Sequence, residues 1–587
     1  MKELRYSVDF CVVGGGLAGM AAALAAARHG ATVALVQDRP VLGGNASSEV
    51  RMHVCGAHGP NRRETGIVEE LFLDNFRYNT RPTYTGWDAV LYGKVQYQKG
   101  VTLLLNASVC DAAMDGPRIR SVRAWQTTTQ RWITVEAKLF ADCSGDAVLA
   151  PLSGADFRMG REGRAEHGES IAPLVPDTRT MGMSCLFQAR EYPEPQPFVP
   201  LPWANLYTDA SQLPHRWMDV FRTNFWWIEL GGMVDSIADT ETCREELLRI
   251  AYGVWNYLKN HAPDRDRYAN LALDWVGFLP GKRESRRYYG DHILTQHDVE
   301  AGGRFPDTVA YGGWSMDDHF PEGFYSKRHE GTIYHPAPSP YGIPYRSLYS
   351  RNVENLFCAG RDISATHSAL SSTRVMATCA LMGQAVGTAA AIAARDGLSP
   401  RGVYERRLAE LQQTLMDDDC WLPGFRRGIP SVCSAALLRA GAGDPAPLRN
   451  GMDRPDDASD NAWTAPVGTP VEYVFPAPAA LAEARLVFDS DLDRTDPSRA
   501  DGQKKLLNMR YYVGLADAPF APPATLVRDF RLETLDAAGE WTVAARVTDN
   551  HQRLARVALS ARCRGLRLVV ERTWGCAEPR VFAFDCR

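Results

Sequence analysis

The chain has 587 residues, a formal net charge of −5 and a hydrophobic content of 45%. This length is typical of roughly two to four domains, and a slightly acidic balance without a basic stripe predicts no nucleic-acid partner. The 13 cysteines form no C-x-x-C pair and have no matched histidine spacing, so neither a metal site nor a disulfide framework is predicted.

The N-terminus enters an apolar strand within a few residues, without a signal-peptide pattern before it. We find no apolar run long enough to span a bilayer. The sequence therefore predicts a soluble cytoplasmic protein with no membrane partner.

The first strong signal is a strand, a glycine turn and a helix. An apolar strand is predicted at residues 8–13, an alanine-rich helix from Leu17 to Gly30, and a second strand at Val33–Val36. The turn has the spacing G-x-G-x-x-G, which lets backbone and helix N–H groups meet a pyrophosphate. The residues predicted to contact the phosphates are Gly14, Gly16, Leu17, Ala18 and Gly19. This pattern predicts dinucleotide binding.

One position departs from that motif. The acidic residue that holds the adenosine ribose falls at Gln37, which is followed by Asp38 and Arg39. An amide can hydrogen-bond a hydroxyl but carries no charge, so we expect a weaker ribose contact with nucleotide binding retained.

The loop at residues 39–59 is rich in glycine and small hydroxyl residues, so its backbone can lie against a ligand. Arg51, His53 and Cys55 alternate within it and share one face if the segment is extended. We interpret them as active-site lining, with an ordinary polar surface loop as the alternative.

Residues 101–142 read as a β-meander with a turn at residues 115–117. The meander ends in a second strand-to-glycine turn, DCSGDA, which contains Gly145 and Asp146. Later, residues 354–395 combine a short strand, the turn Gly360-Arg361-Asp362 and an apolar helix with Arg374 near its start.

This order of motifs resembles the flavoproteins with two dinucleotide-binding domains, and in particular the FAD_oxidored family, sometimes labelled xanthan lyase. The motifs cover about residues 1–150 and 340–400, with weaker matches in GKRESRRYYGD and YGIPYRSLYS. The resemblance implies noncovalent FAD, and adds backbone contacts from Val109 to the adenine. It also implies that the late helix points its N-terminus at the isoalloxazine ring. The remaining residues implied along the phosphates, the ribityl chain and the far side of the flavin are Gly43, Gly44, Asn45, Ser47, Gly145, Asp146, Gly360, Asp362 and Arg374.

Two features of the late helix make sense without the resemblance. Its small residues permit close packing, and they are Gly383, Ala385, Gly387 and Ala389. Arg374 and the helix N-terminus would place positive charge where a reduced flavin gathers negative charge. The alternative for Arg374 is an ordinary ion pair.

Residues 155–339 carry no nucleotide signal and read as an inserted α+β substrate domain. Residues 225–230, FWWIEL, are predicted as a strand in which Trp226 or Trp227 stacks on a sugar ring and Glu229 binds hydroxyls. The alternative is that these aromatics belong to the core.

Histidines supply the candidate bases because imidazole titrates near neutral pH. His319 follows two aspartates in a predicted polar loop, and His367 follows the glycine turn that ends at Asp362. We favour His367 or His53 as the base, and list His319 and Arg51 as further catalytic candidates.

Residues 401–445 predict a helical linker with leucines at Leu408, Leu411 and Leu415. Residues 446–587 predict an antiparallel β-sandwich, with a loose resemblance to discoidin or galactose-binding modules. The predicted strands are TPVEYVFP, EARLVFDS, LNMRYYVG, EWTVAARV, RGLRLVVERTWG and RVFAFDCR. Such a module binds sugar or only packs against the catalytic part, and we favour packing.

The predicted fold class is α/β: a Rossmann-like FAD-binding domain at residues 1–154 and 340–400, the inserted domain, and the C-terminal β-sandwich. The predicted function is oxidation of a hydroxyl carbon on a small, carbohydrate-like substrate by hydride transfer to FAD. One alternative is a flavin-dependent reductase of an activated double bond, with Arg51 or Arg374 clamping a substrate carboxylate. Another is a carbohydrate-binding protein on a vestigial flavin fold. The electron acceptor and oligomeric state carry no sequence signal.

Overall fold

The computed structural model describes residues 3–213, 217–221, 223–328, 330–494 and 512–587. These residues divide into two compact units. The first unit holds residues 3–57, the described part of 82–411, and 512–518; the second holds residues 58–81, 412–494 and 519–587. These units differ from the predicted boundaries in three places. Residues 58–81 group with the C-terminal part of the chain, whereas residues 401–411 and 512–518 group with the nucleotide-binding part.

The N-terminal elements follow the apolar runs of the sequence. Their bounds are β1 (Glu3–Val13), α1 (Leu17–Arg28), β2 (Val33–Val36), α2 (Ile67–Tyr78), α3 (Tyr84–Gln96), β3 (Val101–Leu104), β4 (Ala107–Asp115), β5 (Arg118–Gln126), β6 (Arg131–Asp142) and α4 (Leu149–Ser153). The predicted strand, turn and helix are confirmed, and α2 belongs to the second unit.

The middle of the chain is made of short strands. Its elements are β7 (Phe157–Arg158), α5 (Arg164–His167), β8 (Met183–Ser184), β9 (Phe187–Glu191), β10 (Glu229–Leu230), α6 (Thr240–Asn256), β11 (Leu271–Val276), β12 (Gly281–Lys282), β13 (Arg287–Tyr288), α7 (Gln296–Glu300), β14 (Thr308–Gly312), β15 (Met316–His319), β16 (Thr332–His335) and β17 (Tyr341–Pro344).

Two predictions in this region were wrong. Only Glu229 and Leu230 of the FWWIEL segment are in a strand, because Phe225 has a positive φ of 59° that breaks the extended run. Trp227 lies in the core, stacked on Phe324. His319 ends strand β15, paired with β16, and does not lie in a loop.

The remaining elements are β18 (Leu356–Cys358), α8 (His367–Thr373), α9 (Met376–Asp396), α10 (Pro400–Asp417), α11 (Ser431–Ser434), β19 (Leu437–Ala440), β20 (Trp463–Thr464), β21 (Pro470–Phe488), β22 (Tyr512–Val513), β23 (Val527–Leu535), β24 (Trp541–Val547), β25 (Leu554–Thr573) and β26 (Arg580–Cys586). The late helix is thus two helices, α8 and α9, separated at Arg374 and Val375. The predicted linker region contains α10, α11 and the strand β19.

The nucleotide-binding part is a mixed sheet in the order β3-β2-β1-β6-β5-β4, with β18 also paired to β6. The pairs β2–β3, β1–β2, β1–β6 and β6–β18 are parallel, whereas β5 and β4 continue as an antiparallel meander. Parallel strands end at one edge, so the turn after β1, the turn after β6 and the turn after β18 meet there.

Helix α9 crosses α1 at the closest approach that backbones allow. A Cβ added at Gly383 would lie 2.0 Å from the Ala18 oxygen, and one at Gly387 would lie 2.1 Å from the Ala22 oxygen. Ala385 and Ala389 are fully buried. The prediction of small residues for close packing is confirmed, with the two glycines making the crossing.

The prediction that no apolar run is long enough to span a bilayer was wrong. By length and composition α9 could cross a membrane, but 94% of its apolar window is buried inside the protein. Its apolar surface is used in the packing against α1 and the sheet.

The second unit is antiparallel, as predicted, around the long strands β21 and β25. The predicted strands TPVEYVFP and EARLVFDS are one strand, β21, with a register shift between Val474 and Ala479. Strand β23 was not predicted. Of LNMRYYVG, residues 507–511 lie outside the described part of the chain, and Tyr512–Val513 pair with β9 in the first unit.

We expect Gly387→Ala to lower the free energy of unfolding by about 1–3 kcal/mol, because its methyl group must separate α9 from α1. Gly93→Ala is the matched control: it lies inside α3 with open space around the added Cβ, so it should raise that free energy by about 0.5–1 kcal/mol. Urea unfolding of both variants measures the difference, and equal effects would contradict the close crossing.

Candidate active site

Two glycine turns face each other at the carboxyl edge of the sheet. Gly14 has φ +103°, and a Cβ on Gly19 would lie 1.8 Å from the Gly14 oxygen, so neither position accepts a side chain without rearrangement. Gly16 is the N-cap of α1, offers no side-chain cap, and forms a β-bridge with Gly43. A Cβ on Gly44 would lie 3.1 Å from the Gly16 Cα. The cradle therefore exposes backbone N–H groups at the start of α1, where Leu17 and Ala18 follow.

Both polar atoms of the Gln37 side chain hydrogen-bond the protein backbone. Its Oε1 accepts from the Gly15 N–H at 2.7 Å and its Nε2 donates to the Val41 oxygen at 3.2 Å. In this structure the Gln37 amide therefore hydrogen-bonds the glycine turn and not a ribose. Asp38 keeps a side chain that is 61% exposed, 3.6 Å from Arg39.

The other residues predicted along the nucleotide lie close by but differ in their availability. Asn45 Nδ2 donates to the Lys282 oxygen at 3.0 Å, and the buried Ser47 Oγ accepts from the Glu49 N–H. Val109 is the third residue of β4, buried and paired with Ala124.

Asp146 is fully occupied by protein groups. Its carboxylate accepts from Arg361 Nη2 at 2.6 Å, Lys282 Nζ at 2.8 Å and Ser285 Oγ at 2.8 Å. Burial would raise the pKa of Asp146, but Arg361 and Lys282 outweigh it and lower the pKa to about 2. Asp146 therefore ties Arg361, Lys282 and Ser285 to the turn at Gly145. Sequence reasoning did not assign Lys282 to Asp146. The only indication in the sequence was that GKRES, residues 281–285, is rich in basic residues.

His367 sits in a chain of buried charges. Its Nδ1 lies 2.9 Å from Glu284 Oε2 and its Nε2 lies 3.0 Å from Asp318 Oδ1. Arg287 pairs with Glu284 at 2.5 Å and with Glu162 at 2.8 Å. Although burial acts in the opposite direction, Glu284 and Asp318 raise the pKa of His367 to about 10.

Both ring nitrogens of His367 are thus occupied by carboxylates, an arrangement that favours the imidazolium over a free base. Its predicted role as a base stays a prediction. Sequence reasoning missed its partners Glu284, Asp318, Arg287 and Glu162 because they lie far apart in the chain. A buried cation between two carboxylates is a positioning and charge-balancing group.

His319 lies in a second, separate cluster. Its Nδ1 is 2.7 Å from Glu229 Oε2, while its Nε2 is 3.4 Å from Asp317 Oδ2. Arg374 Nη2 donates to Asp317 Oδ2 at 3.1 Å. Trp226 meets the His319 ring edge-on with centroids 5.2 Å apart. The structure thus brings together three predicted residues, His319, Glu229 and Arg374.

Arg51 and His53 do not join these clusters through the contacts the structure shows. Arg51 Nη1 donates to Gln188 at 2.5 Å, and its guanidinium lies 4.5 Å from the centroid of the Trp275 ring. His53 Nδ1 lies 3.2 Å from Asn224 Nδ2. Arg51 is therefore corrected to a packed structural cation, held to Gln188 and Trp275.

The helix that follows β18 does not present a bare N-terminus. The His367 backbone N–H donates to Glu162 at 2.8 Å, and the N-cap Thr366 accepts from Ala369. The start of the longer helix α9 differs: its N-cap is Val375, which gives no side-chain cap. Within α9, however, the Ala377 N–H donates to the Cys55 oxygen at 3.0 Å. The helix end predicted to face the flavin stays a prediction.

A family model described as FAD dependent oxidoreductase matches residues 9–415. The chain belongs to this family. It is thus an FAD-dependent oxidoreductase. No curated protein matches the chain.

Solved structures similar to part of the chain include carbohydrate-binding modules. The family 32 module from Streptococcus pneumoniae EndoD is 15% identical, covers 27% of this chain and 97% of its own, and has a TM-score of 0.19. The family 32 module of Clostridium perfringens NanJ, solved with galactose, is 6% identical over 26% of this chain and 95% of its own, with a TM-score of 0.18. A two-domain protein of unknown function from Bacteroides fragilis is 11% identical over 28% of this chain and 44% of its own, with a TM-score of 0.19. Scores this low carry no weight for fold or function.

The residues present fit FAD. The first turn of α1 has backbone N–H groups suited to a pyrophosphate. The carboxylate of Asp362 lies near Gly360, with Oδ1 3.4 Å from a Cβ added there. Asp362 is fully buried, and neither carboxylate oxygen has a hydrogen-bond partner among the described residues. A hydroxyl of the ribityl chain would supply the missing donor. Among the described residues no group of three or more His, Cys, Asp or Glu side chains could hold a metal ion.

We expect Asp362→Asn to weaken FAD binding about 10- to 100-fold, as for a lost hydrogen bond to a charged group. Burial and the neighbouring Asp142 raise the pKa of Asp362 well above its usual range, so its ionised form destabilises the apoprotein. The free energy of unfolding of the Asp362→Asn apoprotein should therefore be at least as high as that of the wild-type apoprotein. The difference between the two should grow as pH rises above about 4. FAD titration and urea unfolding of the apoprotein test both, and unchanged FAD affinity would remove Asp362 from the cofactor site.

We expect His367→Gln to lower the free energy of unfolding by about 3 kcal/mol near pH 6, because two buried carboxylates lose their shared cation. Because the pKa of His367 is higher in the folded protein than in the unfolded chain, protonation of His367 stabilises the folded state. This stabilisation is complete below the unfolded pKa and is lost as pH rises through about 10. The wild-type advantage should therefore shrink between about pH 6.5 and pH 10. His297→Gln, at an exposed position, is the control, and a pH-independent difference would argue against the imidazolium.

Proposed function

We propose that this FAD-dependent oxidoreductase oxidises a hydroxyl-bearing carbon of a carbohydrate-like small molecule, with His319 as the base. The observation that supports this is the Glu229–His319 pair, 2.7 Å apart, beside the half-buried Trp226. The proposal keeps the reaction predicted from the sequence and changes the base.

The two nitrogens of His319 differ in how tightly they are held. Nδ1 donates to Glu229, which is fixed in turn by the Gly182 N–H at 2.8 Å and by Arg283 at 3.4 Å. Nε2 lies 3.4 Å from Asp317, at the outer limit of a hydrogen bond. A substrate hydroxyl can replace that contact, and Glu229 would stabilise the imidazolium that forms.

Two guanidinium groups balance the carboxylates around His319. Arg374 and Arg283 are both largely buried, and Arg374 contacts Asp317 while Arg283 contacts Glu229. Burial would raise the pKa of Asp317, but His319 and Arg374 hold it well below the usual range, so this carboxylate stays ionised and balances the cations. When bound, FAD supplies the two-electron hydride acceptor. The protein orients the hydroxyl and takes its proton at His319 Nε2.

The preference for a carbohydrate-like substrate rests on Trp226. Trp227 is buried and stacked on Phe324, so it is a core residue. Trp226 is only half-buried, next to His319, and Arg283 Nη2 donates to its backbone oxygen at 2.9 Å. An aromatic side chain fixed beside a base presents an apolar surface to the C–H groups of a sugar ring and leaves its hydroxyls to polar groups.

The sequence-based alternatives have less support. The reductase alternative needs a guanidinium for a substrate carboxylate, but Arg51 is held by Gln188 and Arg374 by Asp317. The vestigial alternative needs a damaged nucleotide site, whereas the glycine turns at Gly14 and Gly44 retain their close contacts.

We expect His319→Asn to lower turnover at least about 100-fold, because asparagine can still donate to Glu229 but offers no basic nitrogen in place of Nε2. FAD binding should be unchanged. The measurement is anaerobic bleaching of the flavin absorbance by a panel of sugars and polyols.

His292→Asn is the matched control, since His292 also pairs with a carboxylate, Asp298, at 3.0 Å in the same unit. It should bleach at the wild-type rate. Full activity of His319→Asn would remove the proposed base, and bleaching by none of the polyols would overturn the proposed substrate class.

A further inference from the structure

A buried pair of thiols lies in the second unit, apart from the site described above. Cys433 on α11 and Cys586 near the end of β26 have sulfur atoms 3.4 Å apart. The Cys586 backbone N–H also donates to Cys433 Sγ at 3.1 Å. Both side chains are at most 1% exposed. The two thiols are therefore held in direct contact.

We propose that Cys433 and Cys586 are a modification site at which hydrogen peroxide converts the thiol pair into a disulfide. A disulfide has an S–S distance of about 2.05 Å, so the sulfur atoms must approach by roughly 1.4 Å. That shift is within the reach of a side-chain rotation on a four-residue helix such as α11.

The chemistry balances with peroxide as the oxidant. One sulfur, as thiolate, attacks a peroxide oxygen and breaks the O–O bond, which gives a sulfenic acid and, with one proton, water. The second sulfur displaces the sulfenic hydroxyl, forms the S–S bond and releases a second water. The two thiols lose two hydrogens and two electrons, and one peroxide becomes two waters.

Cys586 also lies where a small oxidant can reach it. It lines a cavity of about 310 Å³ in the second unit, together with Arg427, Arg485 and Asp585. This space exceeds by far the roughly 30 Å³ occupied by one water molecule. Peroxide therefore has room beside the pair, although bulk solvent does not touch the sulfurs.

The rate of this oxidation should depend on pH. The S–H···S hydrogen bond with Cys433 and burial raise the pKa of Cys586. Because the thiolate is the nucleophile, oxidation should be slow at neutral pH and faster in alkaline solution.

The bond would join α11 to the last strand, β26, across a sequence separation of 153 residues. A cross-link over so long a loop removes much of the freedom of the unfolded chain. We therefore expect the oxidised protein to melt at a higher temperature, by about 5 °C.

The test uses the full chain with FAD, incubated with hydrogen peroxide at about pH 6.5 and about pH 8.5. Free thiols are then blocked with N-ethylmaleimide in denaturant, without reductant, before trypsin digestion and mass spectrometry. Each cysteine is the only one in its tryptic peptide, GIPSVCSAALLR at 428–439 and VFAFDCR at 581–587. We expect a cross-linked pair, lighter by two hydrogens than the sum, that increases with pH and disappears on reduction.

Cys110→Ser is the control, because Cys110 is an exposed thiol of the first unit and its loss should leave the cross-link unchanged. Cys433→Ser and Cys586→Ser should each abolish the cross-link and the rise in melting temperature. If either variant fails to fold, the comparison of oxidised with reduced wild type decides by itself. Recovery of both peptides as separate maleimide adducts, or of Cys586 as sulfinic acid alone, would overturn the proposal.

Discussion

The active site depends on buried carboxylates that are each held by a cation. Asp146 lies between Arg361 and Lys282, Glu284 between Arg287 and His367, and Glu229 between Arg283 and His319. An isolated carboxylate would not stay ionised in such surroundings, and removing either partner leaves an uncompensated charge. The first two groups join the inserted region to the turn after β6 and to the segment that follows β18, whereas the Glu229 group lies within the inserted region.

The same pairing decides which histidine can take a proton. His367 and His319 both contact two acidic side chains, but the two contacts of His367 are 2.9 and 3.0 Å, whereas His319 has one contact of 2.7 Å and one of 3.4 Å. A ring held equally on both sides is a fixed cation. A ring held firmly on one side only is oriented by that side and can exchange its weaker partner for a substrate hydroxyl. In the proposed function, His319 on β15 is therefore preferred as the base to His367, which follows the cofactor turn in sequence.

What the sequence predicted correctly is mostly local. The spacing of Gly14, Gly16 and Gly19 and the strand β2 follow from backbone sterics and apolar runs, which act over a few residues. The failures are long-range. Gln37 binds Gly15 once the turn folds over it, and Arg51 meets Gln188 from a distant strand. Glu162, Glu284 and Asp318 could not be assigned to His367 because no spacing relates residues that come together only through the insertion.

Asp362 is the exception to the pairing rule, and it links the cofactor to stability. Its carboxyl is fully buried near Asp142, whose oxygens accept from Tyr288, Ser144 and Leu149, while those of Asp362 have no partner among the described residues. Burial raises the pKa of both acids, and the charge of Asp142 raises the pKa of Asp362 further. A hydroxyl donor from FAD would stabilise the ionised form of Asp362. A ligand that binds only the folded state stabilises it, and FAD would lower the raised pKa of Asp362. FAD should therefore strengthen the fold more as pH rises.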